Sequence, residues 1–335
     1  MKRISKLDKT TGGHLVVLCW SPDGGQFAVN HPTNCVSIYT LIDNQAGVNA
    51  APDVILETGT VTELRWGTDS STLVLIDSAK APEGLNVSVW DIAMRHQTRI
   101  QHIPANPLTA WNADFTIGIR AEGNRLFLGD KVVKVSCPVI TYVQLSANGQ
   151  TAVVIVDEPK PKRHPFRISR DKVLPQNVTV VEVWDVFTGN RLCLYRPGIQ
   201  ALAELHISPN GQFYALRGYY HGGDGDEKRN FSIYESSTGK EIFRDWGFYD
   251  DVPILPMWSG DNQQVIYWAW TKTLTGKAKP YIGIVDMVVG EEYANEKAFR
   301  HAGLSKITPA ALAWSPDKAL LAVGDISGMI HLYRL

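Results

Sequence analysis

The amino-acid sequence predicts an all-β protein made of seven four-stranded antiparallel units stacked around one axis. Three observations predict it. A short cluster of Trp, Ser, Pro, Asp or Gly recurs seven times between two apolar strands. A third strand follows each time, alternating β-branched and aromatic residues with polar ones. No segment carries a helical period strong enough to compete with these period-two patterns.

The anchors are Trp20-Ser21-Pro22-Asp23, Trp66-Gly67-Thr68-Asp69, Trp111-Asn112-Ala113-Asp114 and Leu145-Ser146-Ala147-Asn148-Gly149. Ile207-Ser208-Pro209-Asn210-Gly211, Trp258-Ser259-Gly260-Asp261 and Trp314-Ser315-Pro316-Asp317 complete the set. The 294 residues from Trp20 to Trp314 span six intervals, a mean period of 49. Self-similarity at a fixed period of about 20–50 residues marks a repeat architecture.

Around each anchor the strands are read in turn. First strands are expected at 14–19, 61–65, 142–144 and 310–313, and second strands at 26–30, 72–76, 151–156, 212–217, 264–269 and 319–324. Third strands centre on Val36–Tyr39, Val87–Trp90, Leu126–Leu128, Val181–Trp184, Phe231–Tyr234, Ile282–Val285 and Ile330–Tyr333. Thr188-Gly189-Asn190 and Ser237-Thr238-Gly239-Lys240 place glycine where a short hairpin needs positive φ. Fourth strands are expected at 54–57, 98–102, 131–135, 191–195, 240–244 and 297–300. A four-stranded unit of this kind buries neither face alone, so stacking is the natural solution.

The last repeat reaches Leu335 after its third strand, while Lys2–Leu7 precedes the first repeat with no local partner. An unpaired edge is a liability that closure removes. Lys2–Leu7 is therefore expected to supply the missing strand of the last unit.

Composition narrows the function classes. A formal net charge of -1 excludes a globally basic nucleic-acid binder but not a local basic patch. Met1 to Gly13 lacks the apolar stretch of a secretory signal, and no run approaches the roughly 18 apolar residues of a membrane span. The four cysteines, Cys19, Cys35, Cys137 and Cys193, lack metal-ligand spacing and read as thiols in a reducing compartment. Sequons at Asn86, Asn177 and Asn230 are then expected to be unused.

Trp90-Asp91 and Trp184-Asp185 close third strands. Tyr39-Thr40, Tyr234-Glu235, Val285-Asp286 and Tyr333-Arg334 stand at the same place in other repeats. With Gly13-His14 ahead of the first strand and Trp-Ser-Pro-Asp at Trp20 and Trp314, the chain resembles a WD-repeat β-propeller over its whole length. That resemblance implies one domain, residues 1–335, forming a single seven-bladed β-propeller whose ring the N-terminal strand closes. The third repeat departs from the family, ending Leu128-Gly129-Asp130, and only the first keeps the glycine–histidine pair. Apolar packing, rather than the family's Asp–His–Ser–Trp network, is accordingly expected to hold most blades.

In the family's geometry the connections between second and third strands lie on one face, near the mouth of a central channel. They read as short at Pro32–Asn34, Glu122–Asn124 and Ser327-Gly328, and long at Asp77–Asn86, Asp157–Asn177, Tyr219–Asn230 and Ala269–Pro280. Long loops tend to carry function. The Asp157–Asn177 segment holds six cations (Lys160, Lys162, Arg163, Arg167, Arg170 and Lys172) against three anions, with His164 and Phe166 interleaved. Lys228, Arg229, Lys272, Lys277 and Lys279 extend the basic character, and Tyr219, Tyr220 and Trp270 offer aromatic anchors. A docking surface for an acidic protein segment or a phosphate backbone fits these residues, as does a solvated Pro-rich loop. Tyr267-Trp268 reads as blade core, and Gly222–Glu227 as a flexible acidic turn lacking the ligand spacing of a Ca²⁺ loop.

Catalytic signatures are missing: there is no Gly-x-Ser-x-Gly elbow, phosphate loop or His-Glu-x-x-His. Trp90-Asp91 is followed by Ile92-Ala93, unlike the Trp-Asp-x-Arg of ubiquitin-ligase propellers. The expectation is a non-catalytic, cytoplasmic interaction scaffold or complex subunit with no cofactor and no metal. A nucleic-acid-associated factor using the basic 157–177 segment and an enzyme centred on the channel remain the alternatives.

Overall fold

The computed structural model describes residues 2–7, 17–31, 34–42, 47–48, 51–58, 61–77, 84–104, 108–159, 177–199, 201–221, 227–248, 256–272, 278–289, 291–292 and 309–334. Among them there is no helix, and seven antiparallel sheets follow one another along the chain.

After β1 (Lys2–Leu7), the first sheet holds β2 (Leu18–Trp20), β3 (Gln26–His31) and β4 (Cys35–Ile42), with β5 (Gly47–Val48) and β6 (Val54–Glu57) both on β4. The second runs through β7 (Val61–Trp66), β8 (Thr72–Asp77), β9 (Gly84–Asp91) and β10 (His96–Pro104). The third comprises β11 (Thr109–Trp111), β12 (Gly118–Glu122), β13 (Arg125–Leu128) and β14 (Lys131–Lys134). The fourth comprises β15 (Val139–Leu145), β16 (Thr151–Pro159), β17 (Asn177–Asp185) and β18 (Arg191–Tyr195). The fifth comprises β19 (Ala201–Ile207), β20 (Phe213–His221), β21 (Glu227–Glu235) and β22 (Glu241–Phe248). The sixth comprises β23 (Met257–Trp258), β24 (Gln264–Lys272), β25 (Ala278–Asp286) and β26 (Glu291–Glu292). In the seventh, β27 (Pro309–Trp314), β28 (Leu320–Asp325) and β29 (Ile330–Arg334) are completed by β1, which pairs antiparallel with β29 from Lys2↔Arg334 to Leu7↔Ile330. The N-terminal strand thus takes the place expected for it.

The chain divides into two compact units, Met1–Asn106 with Pro253–Leu335, and Pro107–Val252. Within the first unit, the seventh sheet packs on the first. Leu18, Trp20, Phe27 and Val29 share a core with Ala311, Ala313, Ala322, Ile330 and Leu332. The Trp20 indole Nε1 donates to Ala313 O at 3.0 Å. The first sheet meets the second in the same way, through Ala28, Ile38, Leu56, Leu64, Leu73 and Leu75, and Trp66 Nε1 donates to Cys19 O at 3.1 Å. Trp20 and Trp66, each ending a first strand, therefore fill the gap to the neighbouring sheet with the ring and satisfy the N–H on that sheet's backbone. Within the second unit, Ala152, Val154, Val156 and Val180 of the fourth sheet pack against Leu126 and Leu128 of the third, while Val153, Ile155, Val181 and Val183 face Leu205, Tyr214 and Leu216 of the fifth. Both faces of the fourth sheet are buried, and each such aliphatic side chain contributes about 1.5–3 kcal/mol.

The anchors are turns closed by their own side chains. Ser21, Ser146, Ser208, Ser259 and Ser315 are buried. Each Oγ donates to the Asp or Asn two residues on, at 2.6–2.9 Å. Each also accepts the N–H five residues on, at 2.8–2.9 Å. Serine with Asp or Asn two residues on thus pairs, in these five turns, buried polar groups that would otherwise go unpaired. The Thr188–Asn190 and Ser237–Lys240 turns also form as expected, with Gly189 at φ 74° and Gly239 at φ 70°.

One reading is corrected. Tyr219, Tyr220, Lys228, Arg229, Trp270, Lys272 and Lys279 are not loop residues. The arms of the second–third strand hairpins run further, pairing Tyr219↔Arg229, Tyr220↔Lys228, Trp270↔Pro280 and Thr271↔Lys279. β20 runs on through Gly218. That residue is a packing glycine, because a Cβ there would lie 2.7 Å from Ile199 Cδ1. The strand beside β25 is Glu291–Glu292, while the expected 297–300 strand and residues 14–16 of the expected 14–19 strand lie outside the described residues. The seventh sheet has, beside its apolar core, a polar network of its own. His331 Nε2 lies 2.8 Å from Asp325 Oδ2, and Asp325 Oδ1 accepts from Ser327 N and Oγ and from Met329 N.

Candidate functional site

The residues singled out in the sequence fall into two groups. Lys160, Lys162, Arg163, His164, Phe166, Arg167, Arg170, Lys172 and Lys277 lie outside the described residues. Tyr219, Tyr220, Lys228 and Arg229 sit on the β20–β21 arms, and Trp270, Lys272 and Lys279 on the β24–β25 arms. Tyr267 and Trp268, read as core, are fully buried.

A polar cleft of about 440 Å³ opens in the Pro107–Val252 unit, between the face of the fourth sheet and the first strand of the fifth. β15 contributes Thr141 and Tyr142, β16 Ile155 and Asp157, β17 Thr179, and β19 the run Leu202–His206. The two sheets are held there by Gln144, whose Oε1 accepts Ile207 N at 3.0 Å. Pairing is irregular on both facing strands, between Ile140 and Tyr142 in β15 and between Leu202 and Glu204 in β19. A bulge re-aims side chains next to it, and Thr141 and Ala203, the residues left out of register, both line the cleft.

Glu204 is the organising charge. Its Oε1 takes Arg217 Nη2 at 2.7 Å. Its Oε2 is shut off from solvent and has no hydrogen-bond partner among the described residues. His206 Nε2 lies 3.7 Å from that oxygen, beyond hydrogen-bond range. Asp157 and Thr179 are direct cross-strand partners on β16 and β17, which sets carboxylate and hydroxyl side by side. With Glu204 committed to Arg217 and His206 too far to share a proton with it, the arrangement lacks an oriented acid–base pair. It offers acceptors. No group of three His, Cys, Asp or Glu side chains among the described residues is arranged to hold a metal.

Glu204 and His206 carried a signal that sequence reading passed over: two polar residues at i and i+2 in a first strand whose neighbours, Leu202, Leu205 and Ile207, are apolar. Asp157 was legible only as one anion of the basic segment. A second cleft, of about 420 Å³, lies in the other unit between β6 and the second sheet, where Glu57, Asp77, Asn86, Ser88 and Gln97 meet Trp90 and Ile100.

The four cysteines are free thiols, and burial pushes the Cys19 thiol far up. No helix of the described residues is long and apolar enough to cross a membrane. The chain matches no protein-family model and no curated protein.

Proposed function

We propose that the chain is one domain, a seven-bladed β-propeller of WD-repeat type, acting as a non-catalytic interaction scaffold or subunit of a multi-protein complex in a reducing, cytoplasmic compartment. The ring reading is supported by the seventh sheet packing on the first and by β1 completing the seventh. Four free thiols fit the compartment.

One observation carries the functional reading. The second–third strand hairpins of repeats four to six have nine residues in each strand. Elsewhere the second strands have five or six residues and the third strands four to eight. These extended arms carry Tyr219, Tyr220, Lys228, Arg229, Trp270, Lys272 and Lys279, and the hexacationic 160–172 segment joins β16 to β17. Aromatic and basic residues on ordered arms suit an acidic protein partner.

The test replaces 160–172 with a short Gly/Ser hairpin and compares partners captured by the two proteins under cross-linking. Loss of the partners with unchanged thermal stability is expected, since loops tolerate replacement. Retention of every partner sinks the assignment. Binding of RNA or DNA that collapses between ~50 and ~200 mM salt would instead favour a nucleic-acid-associated factor.

A further inference from the structure

We propose that the cleft between the fourth and fifth sheets binds a cationic, donor-only group, an ammonium or a guanidinium, presented by a small amine or by a basic side chain of another protein. The inference is independent of the scaffold reading, because the Pro107–Val252 unit alone supplies every residue it uses.

Four observations converge. Glu204 Oε2 accepts no hydrogen bond among the described residues although it is removed from solvent, with His206 Nε2 at 3.7 Å, and a buried acceptor of this kind is rare unless something pairs with it. Thr179 is 98% buried, lines the cleft, and has no hydrogen-bonded side-chain partner among the described residues. Asp157 stands beside Thr179 across the β16–β17 ladder and is half-buried. Thr141 Oγ1 spends its proton on Ile155 O at 3.3 Å, which leaves its lone pairs for the cleft.

The cleft is therefore rich in acceptors. Among the described residues that line it, the side-chain donors besides the hydroxyls belong to His206, and the neighbouring Arg217 guanidinium is already bound to Glu204 Oε1. Lysine ammonium and arginine guanidinium have donors and no acceptors, so they complement such a lining. An anion would meet Asp157 and Glu204 and be repelled. Ile155 and Leu205 offer apolar wall for the methylenes of a basic side chain. The volume, about 440 Å³, falls within the range of small-ligand sites.

The experiment titrates the full chain with N-acetyl-arginine amide, agmatine and an acetylated Gly-Arg-Gly amide, followed by calorimetry and amide NMR shifts. N-acetyl-norleucine amide and N-acetyl-glutamate serve as neutral and anionic counterparts. Saturable binding of the cationic probes alone is expected, with shifts on β16, β17 and β19. Asp157→Asn and Thr179→Val should each weaken it by about tenfold, the weight of one charged hydrogen bond. Both substitutions keep side-chain shape, so an unchanged unfolding temperature separates lost binding from lost fold. Glu204→Gln is avoided as the primary variant because it also unpairs Arg217. Tighter binding of agmatine than of the peptide identifies a small amine as the source, and the reverse identifies a partner's side chain. The proposal is overturned if no cationic probe saturates, if the norleucine probe binds as well, or if both variants bind like the parent protein.

Discussion

Replacing Glu182 with alanine should loosen the outer edge of the fourth sheet. This carboxylate on β17 is fully buried, an expensive position unless its oxygens are paired. Oε1 accepts Ser136 N at 2.7 Å, from the connection that leads out of the third sheet. Oε2 accepts the Trp184 indole N–H at 3.1 Å, with Arg191 Nη1 at 3.7 Å. Alanine orphans the Trp184 donor, which is buried, at about 1–3 kcal/mol. Ser136 is exposed enough for water to replace part of its bond, and the side-chain void costs about 1 kcal/mol more. Removing the carboxylate's own desolvation penalty offsets some of this, so a net loss of about 2–4 kcal/mol is expected. At roughly 2–4 °C per kcal/mol, the unfolding midpoint falls by on the order of 10 °C. Arg191→Ala is the control. Its side chain is 41% exposed and lies 5.9 Å over the Trp184 ring, so it should cost under about 1 kcal/mol. Differential scanning calorimetry decides between them. A Glu182→Ala protein as stable as the parent, or an Arg191→Ala protein equally damaged, would refute hydrogen bonding as the holding force.

Two further outcomes follow from the seventh sheet and its neighbour. Deleting residues 1–7 removes the strand that pairs with β29 and exposes a ladder edge. The truncated chain should unfold at lower temperature and associate on concentration, and unchanged scattering and midpoint would count against closure by β1. Burial pushes the Asp261 carboxyl up, but the Lys318 ammonium at 2.6 Å, the Ser259 hydroxyl and the Gln263 N–H outweigh it and hold the group at about 2. Because that value lies below the ordinary 3.8, the link stabilises the fold above about pH 4 and is lost as pH falls toward 2. Lys318→Met should move the Asp261 titration upward in carboxyl NMR, and an unmoved titration would show that the ammonium contributes nothing.

How much of this was legible in the sequence depends on the range of the forces involved. The anchors were readable because the turns close within five residues, in five of them by a serine hydroxyl that donates to Asp or Asn and accepts a backbone amide. Gly67 stands where other repeats carry serine, and Thr72 Oγ1 lies only 2.0 Å from where a Cβ would be, so a neighbour's hydroxyl fills the vacated space. Strand alternation was readable for the same local reason, and so was the spare strand at the N-terminus, through counting.

What the sequence by itself determined is therefore the repeat, its turns and the core positions of each sheet, all set by contacts a few residues apart. Tertiary structure alone decided where the hairpin arms end, since Gly218 is explained only by Ile199 packing on it. It also decided that Glu182 Oε1 takes Ser136 N, from a connection 46 residues away. The cleft is the extreme case. Asp157, Thr179 and Glu204 come from three strands, and their common acceptor surface arises where one sheet's bulged strand faces another's. A property made by packing, with no local bond to mark it, leaves no pattern in the order of residues.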